Sequence, residues 1–285
     1  MLYYILYRLG QFIALHLPLQ LAYQLAVIVS DIRLLFAPQD RKETQENLRV
    51  IFPEKSKSEI KKICKALFRN FAKYLVDFFC FSKLDKKFIE KKIEIKNIHY
   101  FDECLKRGKG VIALTAHIGN WELGGAVAGI LGYPLWAVAL PHKHKAVDNF
   151  FNYQRKLKGI NVMPLNKAAR QCLVCLEENK LLALVGDRDF KQKGIVIDFF
   201  GKKTIFPEGP AIFSLITGAP IICGFMLRKA DDSFIFILEE PIRFKPSGNK
   251  EKDAKDLIEK YAKIFEDYIR RYPDQWYMFR NFWIK

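Results

Sequence analysis

From Gly110 onward the chain alternates short apolar runs with amphipathic stretches. Val111–Leu114 is four apolar residues directly after a glycine, the pattern of a strand buried on both faces. Pro134–Leu140, Ile160–Leu165, Leu181–Val185, Pro220–Leu227 and Ser233–Pro241 repeat that signal. Between them, helical spacing predicts helices after Asn120, over Ala146–Lys158, over Asn166–Glu178 and over Phe206–Thr217, the last entered through Pro207. Asp253–Tyr272 is the strongest, with Leu257, Tyr261, Ile264, Phe265, Tyr268 and Ile269 on one face. Ile195–Phe200, turned by Gly201-Lys202-Lys203, reads as an added strand or hairpin. Strand–helix alternation of this kind predicts an α/β fold, a mostly parallel central sheet flanked by helices on both faces.

The first hundred residues follow a different pattern. Leu9–Ser30 is 22 residues without Asp, Glu, Lys or Arg, enough to cross a bilayer core. Pro18 is placed to split it into two shorter helices, one lying in the interface. It lacks the charged start and small-residue cleavage site of a signal peptide, so the reading is a retained membrane anchor over residues 1–37, followed by one domain over 38–285. Arg41–Phe52 reads as a short helix closed by Pro53. Ser58 begins a longer one, with Ile60, Ile63, Cys64, Leu67, Phe68, Phe71, Leu75, Phe78 and Phe79 at helical spacing. That stripe is expected to face the core rather than a lipid groove.

Candidate chemistry sits where the first buried strand ends. His117 lies in the turn Thr115–Asn120, and Asn120 is placed to cap the helix that follows. Glu122 falls in the first turn of that helix. With His117 still in the turn, Glu122 is expected to reach back and fix the imidazole tautomer, leaving the other ring nitrogen free to take a proton from a hydroxyl.

The stretch HIGNWELGG resembles the H-x4-D/E block of the lysophospholipid acyltransferase superfamily, and within it most closely the late acyltransferases of lipid A biosynthesis, the lauroyl and myristoyl type. The likeness runs from about Lys109 to the C-terminus and implies the glycerolipid acyltransferase-like form of the α/β fold. Asn152-Tyr-Gln-Arg155 resembles the family's second block, which implies that Arg155 contacts substrate or the oxyanion. Gly186-Asp187-Arg188-Asp189-Phe190 resembles its Asp-Gln-Asp block, with Arg188 in place of the glutamine. Phe206-Pro207-Glu208-Gly209-Pro210-Ala211 matches a Gly-Pro-Ala helix start, and its Phe-Pro-Glu-Gly portion is similar to the third block of the glycerolipid acyltransferases. Tyr272–Trp276 and Arg280–Trp283 resemble the C-terminal signature. The resemblance thus implies His117 and Glu122 as catalytic residues, and Asn120, Arg155, Asp187, Arg188, Asp189 and Glu208 as substrate contacts. It also implies acyl carrier protein as donor and a phosphorylated lipid A precursor as acceptor.

Charge agrees with anionic partners. The chain carries a formal +16, and residues 41–110 hold 19 Lys+Arg against 10 Asp+Glu. Placed just after an anchor, that excess predicts a catalytic domain on the cytoplasmic side, drawn to an anionic membrane surface; the resemblance implies that the membrane is the bacterial inner (cytoplasmic) one. No nucleic-acid-binding pattern presents itself. The six cysteines form no disulfide framework, and Cys172-x2-Cys175 lacks the second pair a metal site needs. The expected chemistry is O-acyl transfer from a thioester, which calls for no metal or other cofactor because a thiolate leaves readily. Two alternatives stay open: the same chemistry on another acceptor (a glycolipid, aminolipid or lysophospholipid), or a non-catalytic basic membrane-binding protein.

Overall fold

The apolar runs assemble into one seven-stranded sheet. The computed structural model describes residues 2–165, 168–189 and 192–284, and the side chains of all of these except Leu2. In chain order the sheet contains β1 (Ile93–Lys96), β2 (Val111–Thr115), β3 (Leu135–Ala139), β4 (Asn161–Pro164) and β5 (Leu181–Val185). A separate antiparallel hairpin follows, β6 (Ile195–Phe199) with β7 (Lys202–Phe206), and then β8 (Ile221–Arg228) and β9 (Phe234–Leu238) complete the sheet. Its spatial order is β1-β9-β8-β2-β5-β3-β4. Every pairing is parallel except β8 with β9, which are joined by a short turn.

Eleven helices are described: α1 (Leu2–His16), α2 (Leu19–Phe36), α3 (Pro38–Ile51), α4 (Lys57–Phe79), α5 (Lys86–Lys92), α6 (His99–Leu105), α7 (Trp121–Ile130), α8 (Lys145–Lys156), α9 (Ala168–Glu177), α10 (Gly209–Thr217) and α11 (Lys250–Arg271). They cover both faces of the sheet. Along β2, Ile112 and Leu114 enter one core with Leu257, Tyr261 and Phe265 of α11, whereas Val111 enters the opposite core with Leu123 and Val127 of α7. This is the alternation a pleated strand imposes. Both cores are apolar, so the strand reads as a continuous hydrophobic run.

The apolar stripe of α4 faces the core, with Ile60, Cys64, Leu67, Phe68 and Phe78 buried. Its N-terminus is Ser56 rather than Ser58. The Ser56 hydroxyl accepts the Glu59 N–H while the Glu59 carboxylate accepts the Ser56 N–H, a reciprocal cap. Helix α10 begins at Gly209, not Phe206, because Phe206 pairs with Ile195 in the hairpin. The helix expected from Asn166 is described from Ala168 on; Asn166 itself lies outside the described residues. Elements β1, α5 and α6 were not legible in the sequence, being four to seven residues long.

Pro18 does divide the uncharged segment, into α1 and α2. Among the described residues one helix, Leu19–Phe36, is long and apolar enough to cross a membrane. Yet α2 lies along α4, fixed there by polar contacts: Arg69 makes a two-pronged ion pair with Asp31 at 2.5 and 2.7 Å, and the Tyr23 hydroxyl donates to Asp77. The outer sides of both helices carry exposed apolar residues, among them Leu9 and Phe12 of α1 and Leu21, Leu25, Ile28 and Ile32 of α2.

Candidate active site

Strands β2 and β5 are parallel neighbours in register, Thr115 opposite Val185. Two residues beyond those ends come His117 and Asp187. Side-by-side strands therefore deliver an imidazole and a carboxylate to the same point, outside the carboxyl end of the sheet where open α/β folds place ligands.

The His117 Nδ1 lies 2.5 Å from Asp187 Oδ1, and the His117 backbone N–H donates to Asp187 Oδ2 at 3.0 Å. The Trp276 indole N–H donates to the same oxygen at 3.1 Å. Asp187 is fully buried. Burial would push its carboxyl up, but the imidazole and then Arg188 outweigh that and bring it down to about 2. An ionised carboxylate only accepts hydrogen bonds, so the proton of the neutral imidazole sits on Nδ1 and the lone pair on Nε2. Burial also lowers the His117 pKa below the usual histidine value, with Asp187 opposing and Arg188 assisting. The imidazole is therefore neutral at neutral pH. Its side chain keeps 16% exposure, and the Trp121 ring stands edge-on to it at 5.1 Å.

The expected His117–Glu122 contact is not formed. Helix α7 starts at Trp121 and turns Glu122 toward α8, where Arg155 grips its carboxylate through Nε at 3.0 Å and Nη2 at 2.5 Å. The remaining arm of Arg155, Nη1, donates to Asn152 at 3.1 Å. Glu122 reaches His117 only through its field, which favours the protonated ring slightly. Arg155, expected at an oxyanion, thus has all three of its nitrogens engaged internally. Arg188 is held differently: its Nη2 donates to the Tyr277 carbonyl, while its Nε is buried with no partner among the described residues.

Asn120 is buried, and both ends of its amide are used. Its oxygen caps α7 by accepting the Leu123 N–H at 3.0 Å, and its nitrogen donates to Asp77 at 2.7 Å. Asp189 shapes the following loop, taking the Lys193 and Gly194 N–H groups at 2.6 Å. Glu208 stands exposed before α10 and makes no cap hydrogen bond. Phe190 lies outside the described residues.

The turn itself is forced by Gly119. It has φ +64°, and a Cβ there would lie 2.1 Å from the Met226 carbonyl oxygen. This close approach lets the Asn120 N–H reach that same carbonyl at 2.7 Å, while the Gly119 N–H donates to Gln275. The C-terminal segment closes the site from above: the Tyr277 N–H donates to the His117 carbonyl, and Ile118 bridges Trp276.

Residues 1–285 match, end to end, the family described as Bacterial lipid A biosynthesis acyltransferase. The chain belongs to that family. Among relatives of this lipid A acyltransferase-family chain is a phosphatidylinositol mannoside acyltransferase of Mycolicibacterium smegmatis, 26% identical over 230 residues, 78% of this chain and 72% of the relative. Another is a lipid A biosynthesis palmitoleoyltransferase of Escherichia coli, 23% identical over 236 residues, 81% and 74% of the two chains. The chain is accordingly an acyltransferase, and the family's substrates are lipids. Two residues of its site escaped the sequence reading in these roles. Asp187 was placed at substrate, though its position two residues past a buried strand, like that of His117, was the available signal. Trp276 was visible only as part of the C-terminal signature.

Proposed function

We propose that this chain transfers a fatty acyl group from a thioester to a hydroxyl of a phosphate-bearing glycolipid, with His117 as general base and Asp187, in place of Glu122, as the group that orients it. The supporting observation is the 2.5 Å contact between His117 Nδ1 and the buried Asp187 carboxylate. Nε2 takes the acceptor hydroxyl proton as the oxygen attacks the thioester carbonyl. The tetrahedral oxyanion that forms lies in the field of the Arg188 guanidinium, whose charge already acts on His117. The C–S bond then breaks, and the departing thiolate takes its proton from the imidazolium, leaving an ester and a free thiol. Neither a metal nor a covalent acyl-enzyme enters this sequence.

A lipid A precursor is the acceptor favoured by the family match. A phosphatidylinositol mannoside-like glycolipid is the second reading, favoured by the M. smegmatis relative. Acyl carrier protein is the proposed donor, an acidic protein suited to a chain of net charge +16. The protein works at the cytoplasmic face of the inner membrane. There the hairpin of α1 and α2 lies in the lipid surface instead of crossing it, because the Asp31–Arg69 pair holds α2 along α4.

Mass-spectrometric lipid profiling of a deletion strain tests the acceptor. Loss of one acyl chain from lipid A is expected; unchanged lipid A with a missing chain on another glycolipid moves the assignment to the second reading. The purified chain tests the chemistry. His117→Ala should lower turnover by roughly 10²–10⁴-fold, and unchanged turnover would rule the mechanism out.

A further inference from the structure

Asp77, near the end of α4, was in none of the motifs, yet it is buried beneath the active-site turn with partners from three other elements. The Tyr23 hydroxyl of α2 donates to Oδ1; Asn120 of the site turn and Arg228 of β8 donate to Oδ2. The network continues on both sides. The guanidinium of Arg228 lies over the Tyr23 ring at 4.8 Å and reaches Asp232 at 3.3 Å. The Gln275 side chain clasps the Arg228 backbone, accepting its N–H and donating to its carbonyl, each at 2.9 Å. Gln275 in turn accepts the Gly119 N–H, and its neighbour Trp276 holds Asp187.

We infer that Asp77 and Tyr23 are positioning residues that make the geometry of the His117–Asp187 pair depend on how α2 is seated. This rests on the acyltransfer reading above. Asp77 fixes the Asn120 amide, Asn120 fixes the first turn of α7, and that turn sets where His117 sits over Asp187. Tyr23 is the contribution of α2 to this chain of contacts, and the opposite side of the same helix presents Leu21, Leu25, Ile28 and Ile32 outward. A lipid surface that engages those residues therefore acts on the helix carrying Tyr23. Packing around Asp77 also leaves room for adjustment. A cavity of about 210 Å³ lies under the α1–α2 turn, lined by Ala14, Leu17, Leu19 and Leu123 and by Asp77 itself.

Among the described residues α2 has two hydrogen-bonded ties to α4, Tyr23–Asp77 and Asp31–Arg69, and only the first touches the site network. Asp31 binds Arg69 and Lys65 and contacts none of the residues around Asn120. This provides an internal control. Tyr23→Phe and Asp31→Asn are compared with the wild-type full-length chain in vesicles containing anionic phospholipid, reading kcat, KM for the acceptor, vesicle binding and melting temperature. Tyr23→Phe is expected to lower kcat roughly ten- to a hundredfold through misplacement of the base, with KM and vesicle binding unchanged. Asp31→Asn, which loosens the other end of α2 without touching the Asp77 network, should lower kcat by much less than Tyr23→Phe. Equal kcat effects in the two variants, or none in either, would overturn the coupling while leaving the acyltransfer reading intact. A wild-type chain inactive on every glycolipid acceptor would remove that reading and the coupling together. Should Tyr23→Phe melt well below wild type, Asp77→Asn assayed below its own melting temperature repeats the comparison; wild-type kcat there overturns the inference.

Discussion

Asp187→Asn isolates what the carboxylate does for the imidazole. The substitution keeps shape and volume, so the outcome turns on which atom faces which donor. Asp187 Oδ2 accepts two N–H groups, from the His117 backbone and the Trp276 indole, at 3.0 and 3.1 Å. An asparagine satisfies both only by placing its amide oxygen there, which turns its NH2 toward His117 Nδ1. A donor facing Nδ1 makes that nitrogen the acceptor and moves the ring proton to Nε2. The base then has no lone pair where the acceptor hydroxyl arrives. The whole general-base contribution is lost, roughly 10²–10⁴-fold in kcat; the same exchange in the serine-protease triad costs about 10⁴. Because all three hydrogen bonds at the site are re-formed, stability should change by no more than about 1.5 kcal/mol, one neutral bond's worth. The assay is initial-rate acyl transfer at saturating donor and acceptor, followed by mass spectrometry of the product lipid, beside a thermal melt. A variant that melts normally and keeps kcat within about threefold, well under the smallest general-base effect, would refute the tautomer argument and with it the role given to Asp187.

The pH profile should show one acid limb, because His117 must be neutral to act; its lowered pKa puts the midpoint of kcat/KM below about 6.5. Arg188→Gln removes one of the groups depressing it and should move that limb to higher pH, besides lowering kcat; an unmoved limb would detach Arg188 from the base. The folded protein also binds fewer protons at His117 than the unfolded chain, so this group's stabilisation is complete above the unfolded value and is lost as pH falls through the lowered folded value, a trend that denaturant titrations of wild type against His117→Phe can read. Breaking the Glu122–Arg155 pair from one side, as in Glu122→Ala, leaves a buried guanidinium uncompensated and should cost about 3–5 kcal/mol, with no shift of the acid limb beyond a small downward one; a stable Glu122→Ala that loses only kcat would restore Glu122 to a catalytic role. Gly119→Ala should destabilise by more than about 2 kcal/mol, since its Cβ would meet the Met226 carbonyl oxygen at 2.1 Å; a normal melt for that variant would refute the close approach.

What could be read in advance was whatever depends on local pattern. The buried strands, the long helices α4 and α11, the hairpin and the break at Pro18 all follow from period, charge-free length and turn residues, and they emerge at nearly the expected bounds. The position of His117 at a strand end was likewise local. Its partner was not. Asp187 lies 70 positions away, and it reaches His117 only because β5 pairs with β2 in register, a fact of sheet order that no spacing along the chain encodes. The same holds for Arg155 meeting Glu122 33 positions back, and for Asp77 meeting Arg228 151 positions on. Local spacing suggested the nearest acid, and topology supplied a different one.

The H-x4-E spacing still has a physical reason. Gly119 in the left-handed region reverses the chain after His117, and Asn120 caps a helix whose first turn faces α8, not the imidazole. Glu122 in that first turn is where a carboxylate favours the helix dipole, and its grip on Arg155 ties α7 to α8. His117 and Glu122 thus flank the same turn from opposite sides. In the proposed mechanism one carries the reacting nitrogen, and the other fixes the helix from which that nitrogen is measured. The two acids at the site have separate tasks, Asp187 setting the proton on the ring and Glu122 setting the frame. Neither can substitute for the other: moving the carboxylate from one position to the other would leave either Arg155 or the His117 Nδ1 proton without a partner.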